Sequence, residues 1–124
     1  IDLNDLKKIN DESGHAMGDL YIQTAANLLK QTFRPEDMIA RVGGDEFLIL
    51  LPLVDQATCI QAVDRLNESV RLFNLRNDFP ISLSAGYATA NAGDHLLQRI
   101  READRLMYQE KANFKASRTR PYDQ

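Results

Sequence analysis

Two glycines followed at once by two carboxylates form the part of the sequence best suited to chemistry. Gly43 and Gly44 lie between two apolar runs, and we predict that they form the tight turn of a β-hairpin, with positive φ. A glycine turn also lets a ligand approach the backbone closely, because no Cβ is in the way. Asp45 and Glu46 then place negative charge where the second strand begins. This combination indicates a metal-assisted site for a ligand that carries phosphate.

Asp2 adds a third carboxylate, at the end of the strand with which the sequence opens. Ligands of α/β proteins collect at strand ends, so three acids converge if the strands that carry Asp2 and Asp45 are neighbours. Their mutual repulsion would raise their pKa values, and a hard divalent cation such as magnesium would relieve it. An ideal strand turns successive side chains to opposite faces, so we expect different roles for Asp45 and Glu46. The residues alone leave open that all three acids are simply solvated at loop ends.

Asn10, His15 and Asp19 flank Gly14, where a short helix is expected to give way to a longer one. A carboxylate can accept hydrogen bonds from N1–H and the exocyclic amine of guanine, and an amide adds a further contact. Adenine lacks these donors, so Asp19 would select guanine. The alternative is structural: Asn10 and Asp11 end the first helix, Asp19 caps the second, and His15 packs within the loop.

Composition restricts the class of protein. With 124 residues, of which 44% are hydrophobic, the chain is expected to form one soluble globular domain. Its net charge of −3 argues against nucleic acid as a partner. The single Cys59 excludes an internal disulfide and is expected in the core. No apolar run approaches the roughly 18–20 residues of a membrane span. The first residues, Ile-Asp-Leu, resemble the end of a strand, so we expect a fragment of a longer protein.

Hydrophobic periodicity predicts helices and strands that alternate, which favours an α/β (α+β) fold with a mixed central β-sheet surrounded by helices. Asn4 is expected to cap the first helix, and Pro35 to break the second. The strand after the glycine pair is apolar throughout, as expected for a strand covered on both faces. The predicted strands are 1–3, 38–42, 47–51 and 81–90; the predicted helices are 5–11, 18–33, 55–73 and 95–115, and a loose tail follows.

Five motifs in one order and at compatible spacing resemble the GGDEF domain of bacterial diguanylate cyclases. They are Asp2–Asp11, Gly14–Asp19, Arg41–Phe47, Ser84–Tyr87 and, with Ala103-Asp104 before it, Met107–Lys111. The resemblance covers nearly the whole chain. It implies a fold similar to the palm of nucleotidyl cyclases and polymerases. The implied domain spans residues 1–116 and is incomplete at its N-terminus, and residues 117–124 form the loose tail.

The resemblance implies that two GTP molecules condense to cyclic di-GMP and two pyrophosphates, with one GTP held by each half of a homodimer. Asp2, the backbone carbonyl of Leu3 and Asp45 would hold magnesium or manganese on the triphosphate. Glu46 matches the acid that serves as base or as a further metal ligand, and it would help to deprotonate the attacking ribose 3′-hydroxyl. The chemistry is a metal-assisted nucleotidyl transfer.

The resemblance also assigns seven contacts to the nucleotide. Asn10 and Asp19 would read guanine, and His15 would lie near the nucleoside. Gly43 and Gly44 would leave room for the nucleotide against the hairpin, and Lys7 and Lys111 would carry positive charge near the phosphates. A simpler interpretation of Lys7 is a solvated side chain on a short helix.

A second site, for inhibition by the product, is implied outside the active site. Arg34 and Asp37 match the motif at which cyclic di-GMP inhibits members of the family, and Arg65 matches a further arginine of that site. Arginine can pair with phosphate or with guanine O6 and N7, and aspartate can accept from a guanine N–H. A salt bridge between Arg34 and Asp37 within the loop is the alternative.

The chain departs from the family pattern at both ends. Asn4 and Leu6 replace an aspartate and a phenylalanine of the first motif, and Phe114 replaces a glycine of the last, which leaves a phosphate contact at Lys115 open. The alternative function is a non-catalytic regulatory module that binds GTP or cyclic di-GMP, although the intact acids favour the enzyme. We expect an upstream sensory domain in the parent protein. The domain itself is expected in the cytoplasm, with membrane anchoring of the parent left open.

Overall fold

Helices and short strands alternate along the chain in the computed structural model, which describes residues 1–119. The strands are β1 (Asp2–Leu3), β2 (Met38–Arg41), β3 (Phe47–Leu50) and β4 (Leu83–Ser84). The helices are α1 (Leu6–Ser13), α2 (His15–Thr32), α3 (Gln56–Arg76) and α4 (Leu96–Thr119). Their order, β1 α1 α2 β2 β3 α3 β4 α4, confirms the predicted α/β class.

Strand β1 lies between the two halves of the sheet. It pairs antiparallel with β4, with Asp2 opposite Ser84, and an antiparallel bridge joins Asp2 to Glu46 just before β3. Strand β3 in turn pairs antiparallel with β2, where Phe47 lies opposite Arg41. The two strands that carry the acids are therefore neighbours, which is the condition under which the acids were expected to converge. Every strand pairing within residues 1–119 is antiparallel.

Strand β1 is held in place by one apolar core, to which α2 and α3 contribute. Leu3 of β1, Leu29 of α2 and Leu66 of α3 are almost completely buried in it. Burying a leucine side chain contributes about 2 kcal/mol to folding. Cys59 is also buried, as predicted. The core thus encloses the residue that directly follows Asp2, and it holds this end of the sheet in position.

Asn4 does not cap α1, contrary to the prediction. Asp5 takes the N-cap position, with a φ of 67°. Asn4 is buried instead: its Nδ2 donates to Ser82 Oγ at 3.0 Å, and its Oδ1 accepts from Ser84 Oγ at 3.1 Å. The Tyr21 hydroxyl donates to the Asn4 carbonyl at 2.9 Å. A buried amide without partners would be costly, so these bonds explain the burial of Asn4 and tie β1 to the chain around β4.

The hairpin between β2 and β3 has a wider loop than predicted. Five residues separate the strands, and neither Gly43 nor Gly44 has a positive φ, so the predicted tight turn is wrong. Strand β1 binds this loop from its other edge, where the Leu3 N–H donates to the Asp45 carbonyl, while the Val42 N–H still donates to the Glu46 carbonyl at 2.9 Å. The Arg41 guanidinium closes the loop instead, because it donates to the carbonyls of Gly43 at 3.1 Å and Gly44 at 2.8 Å.

Two predicted element bounds and the predicted burial of β3 also differ from the structure. The strand predicted for 81–90 is limited to β4, since its partner β1 is also only two residues long. Strand β3 is not covered on both faces, because Leu48, Ile49 and Leu50 are partly exposed and line a cavity of about 580 Å³. Helix α4 continues to Thr119, beyond its predicted end, and the rest of the predicted tail lies outside the described residues. None of the helices within residues 1–119 is both long and apolar enough to cross a membrane.

Candidate active site

Strand pairing brings acidic residues together at the junction of β1 and β3. The Leu3 N–H donates to the Asp45 carbonyl at 2.7 Å, next to the bridge between Asp2 and Glu46. The Asp2 side chain is only 8% exposed, whereas that of Asp45 is 42% exposed. The junction therefore combines a buried carboxylate with an accessible one.

Lys111 of α4 supplies the positive charge of this site. Its Nζ lies 2.8 Å from Asp2 Oδ2 and 3.8 Å from Asp45 Oδ2. The resemblance implied a contact with phosphate, and in this structure Lys111 pairs with the two carboxylates. Burial raises the pKa of Asp2; the hydrogen bond from Lys111 opposes this shift, and the Asp45 carboxylate adds to it. The pKa of Asp2 is raised overall, because the burial of its charge is only partly compensated.

The carboxylates fit a hard divalent cation. Asp2 Oδ1 is buried and accepts no hydrogen bond from the described residues, so one oxygen of the buried acid is open to a ligand. Asp45, and Leu3 with its backbone carbonyl, lie next to it. Within residues 1–119, no three His, Cys, Asp or Glu side chains are grouped as a ready-made metal centre. Magnesium commonly binds through one or two carboxylates together with water and phosphate oxygens, and the residues present fit such an ion.

Glu46 contacts a fourth acid, Asp104 of α4, to which the sequence assigned no role. Burial raises the pKa of Glu46, and the nearby carboxyl group of Asp104 raises the pKa further. A raised pKa suits a carboxyl group that must accept a proton near neutral pH. The sequence did contain a signal for this contact. Asp104 and Lys111 are seven residues apart, which places both on one face of a helix.

Helix α4 can present Asp104 and Lys111 to the sheet because it packs closely on the segment after β4. A Cβ on Gly86 would clash with backbone atoms of Ala103 and Met107. Met107 is itself buried. Glycine at position 86 is therefore required for this close approach, and it positions the two charged side chains indirectly.

Asn10, His15 and Asp19 lie around Gly14, where α1 passes directly into α2. Gly14 has a φ of 88°, and its N–H donates to the Asn10 carbonyl at 2.9 Å. His15 and Asp19 are exposed in the first turns of α2, so His15 does not pack within a loop. Gly14 takes the N-cap position, so the alternative in which Asp19 caps α2 is wrong. The Asn10 side chain lies directly against Gly18. We call this group the α1–α2 corner.

The other residues expected to contact the nucleotide are exposed. They comprise Lys7 of α1, and Gly43 and Gly44 of the hairpin loop. Lys115 is also exposed and lies one helical turn beyond Lys111. Asp2 and Asp45 thus contact Lys111, while the residues expected to read guanine form a separate group at the α1–α2 corner.

Arg34 and Asp37 form the loop salt bridge that was the alternative to a ligand site. Arg34 donates from its backbone N–H to Asp37 Oδ2 at 2.8 Å and from its guanidinium to Oδ1 at 3.0 Å. Arg65 donates to the Thr32 carbonyl at 2.9 Å. Burial opposes the shift, but the hydrogen bonds and charge of Arg34, with the charge of Arg65, lower the pKa of Asp37. The two arginines thus act on one carboxylate between α2 and β2.

The chain is similar to proteins of one family. Residues 1–117 match the family model described as diguanylate cyclase, GGDEF domain. Diguanylate cyclase A of Treponema denticola is 31% identical over 117 residues, which cover 91% of this chain and 32% of that protein. The structure of the active GGEEF domain of a diguanylate cyclase from Vibrio cholerae is 28% identical with a TM-score of 0.78, and the match covers 90% of this chain and 73% of that one.

A further solved structure concerns the interaction between a microbial GGDEF domain and cyclic di-GMP. It is 31% identical with a TM-score of 0.73, over 90% of this chain and 69% of that one. The chain spans between 16% and 38% of the length of the first curated relatives that it matches.

Proposed function

The chain belongs to the family of GGDEF diguanylate cyclase domains, and we propose that it condenses two molecules of GTP into cyclic di-GMP and two pyrophosphates. The observation that carries this proposal is the contact of Lys111 with Asp2 and Asp45, beside Glu46. These groups supply, at one place, carboxylates for a metal, a cation for phosphate and an acid with a raised pKa. A GTP condensation needs all three.

Asp2, Asp45 and the backbone carbonyl of Leu3 hold the metal, magnesium or manganese, and Glu46 is a further candidate ligand. The bound cation supplies positive charge that offsets the charge developing on the phosphates. Lys111 of α4 adds a second positive charge beside the same carboxylates. Lys7 would act from α1, where its side chain is exposed.

Glu46 accepts the proton of the attacking ribose 3′-hydroxyl. The 3′ oxygen forms a bond to the α-phosphorus of the GTP held by the other half of a dimer, and pyrophosphate leaves with the electrons of the broken bond. The same step in the opposite direction closes the ring. Asp104 supports this role because its negative charge helps to keep the pKa of Glu46 raised.

The α1–α2 corner selects guanine. Asn10 and Asp19 meet the hydrogen-bonding edge of the base, and His15 lies beside the nucleoside. The exposure of His15 and Asp19 supports this assignment, since both side chains are accessible from solution. Gly43 and Gly44 are exposed as well and leave the nucleotide free to lie against the hairpin loop.

Cyclic di-GMP inhibits the domain by binding to Arg34, Asp37 and Arg65. The salt bridge between Arg34 and Asp37 is exposed only on the Arg34 side, since the Asp37 side chain is 0% exposed. Asp37 keeps the hydrogen bond from the Arg34 backbone N–H at 2.8 Å when the guanidinium turns to a ligand. The Arg34 side chain is 41% exposed and can exchange a carboxylate for a phosphate. Product bound there would restrain the two halves of the dimer from meeting, which couples the two sites.

The reaction requires two copies of this domain, because each copy holds one GTP and the product contains two nucleotides. We place the domain in the cytoplasm, with its activity controlled by a sensory domain upstream in the parent protein. The homodimer forms the complete active site only when the two GTP molecules face each other.

Product analysis after incubation of the purified protein with GTP and magnesium tests this function. Chromatography should show cyclic di-GMP, and Glu46→Gln should slow its formation by on the order of 10²- to 10⁴-fold, since the base is lost. Asp64→Asn is the matched control, because it removes one negative charge from an exposed position of α3. If the unaltered protein and the Asp64→Asn variant bind nucleotide but yield no cyclic di-GMP, the chain is the non-catalytic regulatory module instead.

A further inference from the structure

Lys111 is held firmly between the two carboxylates that we assign to the metal. Its Nζ is 2.8 Å from Asp2 Oδ2 and 3.8 Å from Asp45 Oδ2, and its side chain is only 18% exposed. Asp2 Oδ1, by contrast, has no hydrogen-bond partner among the described residues. The ammonium group therefore offsets only part of the negative charge of the site and leaves one of its oxygens without a partner.

A divalent cation and the ammonium group share the carboxylates of Asp2 and Asp45, although Lys111 contacts only the Oδ2 atom of each. Both are stabilised by the charge of the buried Asp2, and a buried carboxylate that loses its only cation is strongly destabilised. A metal that binds through Asp2 and Asp45 brings two positive charges close to that of Lys111, and the like charges repel. Lys111 must therefore give up its present contacts when the metal binds.

We propose that Lys111 is an internal counterion that pairs with the metal carboxylates and moves to the triphosphate when metal and GTP arrive together. This inference rests on the proposed function. The long flexible stem of lysine allows the ammonium group to change partners without a change in the backbone. Helix α4 remains fixed by its close contact at Gly86.

The exchange couples metal binding to nucleotide binding. A metal that binds alone displaces Lys111 without offering it a new anion, whereas a metal that binds with GTP brings phosphate oxygens that replace the lost carboxylates. The affinity for the metal is therefore low without nucleotide and higher with it, and by linkage the reverse also holds. Lys111 thus stabilises the carboxylates of Asp2 and Asp45 and disfavours the binding of metal without nucleotide.

Two binding measurements on Lys111→Gln test the proposal, with Mn²⁺ as the probe. By electron paramagnetic resonance, Mn²⁺ without nucleotide should bind Lys111→Gln on the order of tenfold more tightly than the unaltered protein. A non-hydrolysable GTP analogue with Mn²⁺ should bind more weakly, because a phosphate contact is lost. Lys30→Gln removes the same charge from an exposed position of α2 and should change neither affinity. Lys111→Arg should bind Mn²⁺ alone as weakly as the unaltered protein.

Equal or weaker binding of Mn²⁺ alone to Lys111→Gln would overturn the proposal, even if the unaltered protein produces cyclic di-GMP. Tighter binding of Mn²⁺ alone together with weaker binding of the GTP analogue would support the counterion role even if no cyclic di-GMP forms. The counterion role and the proposed enzymatic function can therefore fail independently. If Lys111→Gln is unfolded without metal, circular dichroism decides. Recovery of the helical signal on addition of Mn²⁺ supports the counterion role, and failure to recover overturns it.

Discussion

Gly18 illustrates how a residue without a side chain can determine the position of a functional one. The Asn10 side chain lies so close to Gly18 that a Cβ would overlap its oxygen. The clash would be with the end of a flexible side chain, so Asn10 can rotate away without any movement of α1 or α2. The absence of a Cβ at Gly18 therefore leaves room for the Asn10 amide in its present position at the α1–α2 corner.

Gly18→Ala should weaken GTP binding by about tenfold, the equivalent of one hydrogen bond, because the amide of Asn10 is displaced. The same substitution should preserve or raise stability by up to about 1 kcal/mol, because alanine is the better helix former. Calorimetry with a GTP analogue and thermal melting measure the two effects. A loss of stability together with unchanged affinity would show that Asn10 does not read the base from its present position.

Arg34 allows a test of product inhibition without interference with turnover. Arg34→Ala should weaken the binding of cyclic di-GMP by on the order of 10- to 100-fold, since charge-assisted hydrogen bonds are lost, and should leave initial rates unchanged. Arg71→Ala is the matched control, because Arg71 also pairs with an acid three residues away, Glu68, on the exposed surface of α3. Unchanged affinity for the product would remove Arg34 from the inhibitory site.

The pair of Glu46 and Asp104 gives the metal-free protein a characteristic pH dependence. The pKa of Glu46 is raised in the folded state above its ordinary value of 4.5, so folding favours the protonated form. Its contribution to stability is therefore lost as the pH rises from 4.5 through the raised pKa. Asp104 is responsible for part of this loss.

Asp104→Asn should accordingly raise the melting temperature of the metal-free protein by roughly 3 °C at neutral pH, because the repulsion of Glu46 is removed. The rise in melting temperature should vanish below about pH 4, where Glu46 is largely protonated in both the folded and the unfolded state. Melting curves across this pH range, with Asp64→Asn for comparison, measure the effect. A gain that is constant over the whole range would mean that Asp104 does not interact with the ionised Glu46.

At the scale of elements, local pattern predicted the four helices and, to within one residue, strands β2 and β3. Amphipathic spacing depends on neighbouring residues, and the strands of a hairpin are close in sequence. The N-cap of α3 is also local, since Asp55 accepts a hydrogen bond from the Thr58 N–H at 2.8 Å. The bounds of β4 could not be predicted in this way, because its partner β1 is distant in sequence.

The candidate site shows the same division between local and distant causes. The acids at β1 and β3 could be recognised from their positions at strand ends, and their strands are neighbours. The contacts of Lys111 and Asp104 could be recognised only in part: their spacing places both on one face of α4, but the contacts require α4 to approach the sheet. That approach depends on the absence of a Cβ at Gly86, which no pattern along α4 reveals.

At the scale of the whole molecule, the proposed reaction makes activity depend on the meeting of two chains. Cyclic di-GMP formation per mole of protein should rise with protein concentration until the dimer is saturated. Excess Glu46→Gln should suppress the activity of the unaltered protein, since a mixed dimer forms only one of the two bonds. An equal excess of serum albumin is the control. Turnover that is independent of both concentration and the added variant would contradict catalysis by a dimer.

The contact between Asp2 and Lys111 also has a consequence for how the chain acquires its function. The two residues are 109 positions apart in a chain of 124. Contacts between such distant positions close a long loop and form only after most of the chain has collapsed. Because the lysine is synthesised long after the aspartate, a nascent or truncated chain carries the acids without their cation. If the proposed function holds, such a chain lacks the lysine contact to phosphate and binds nucleotide more weakly than the folded protein.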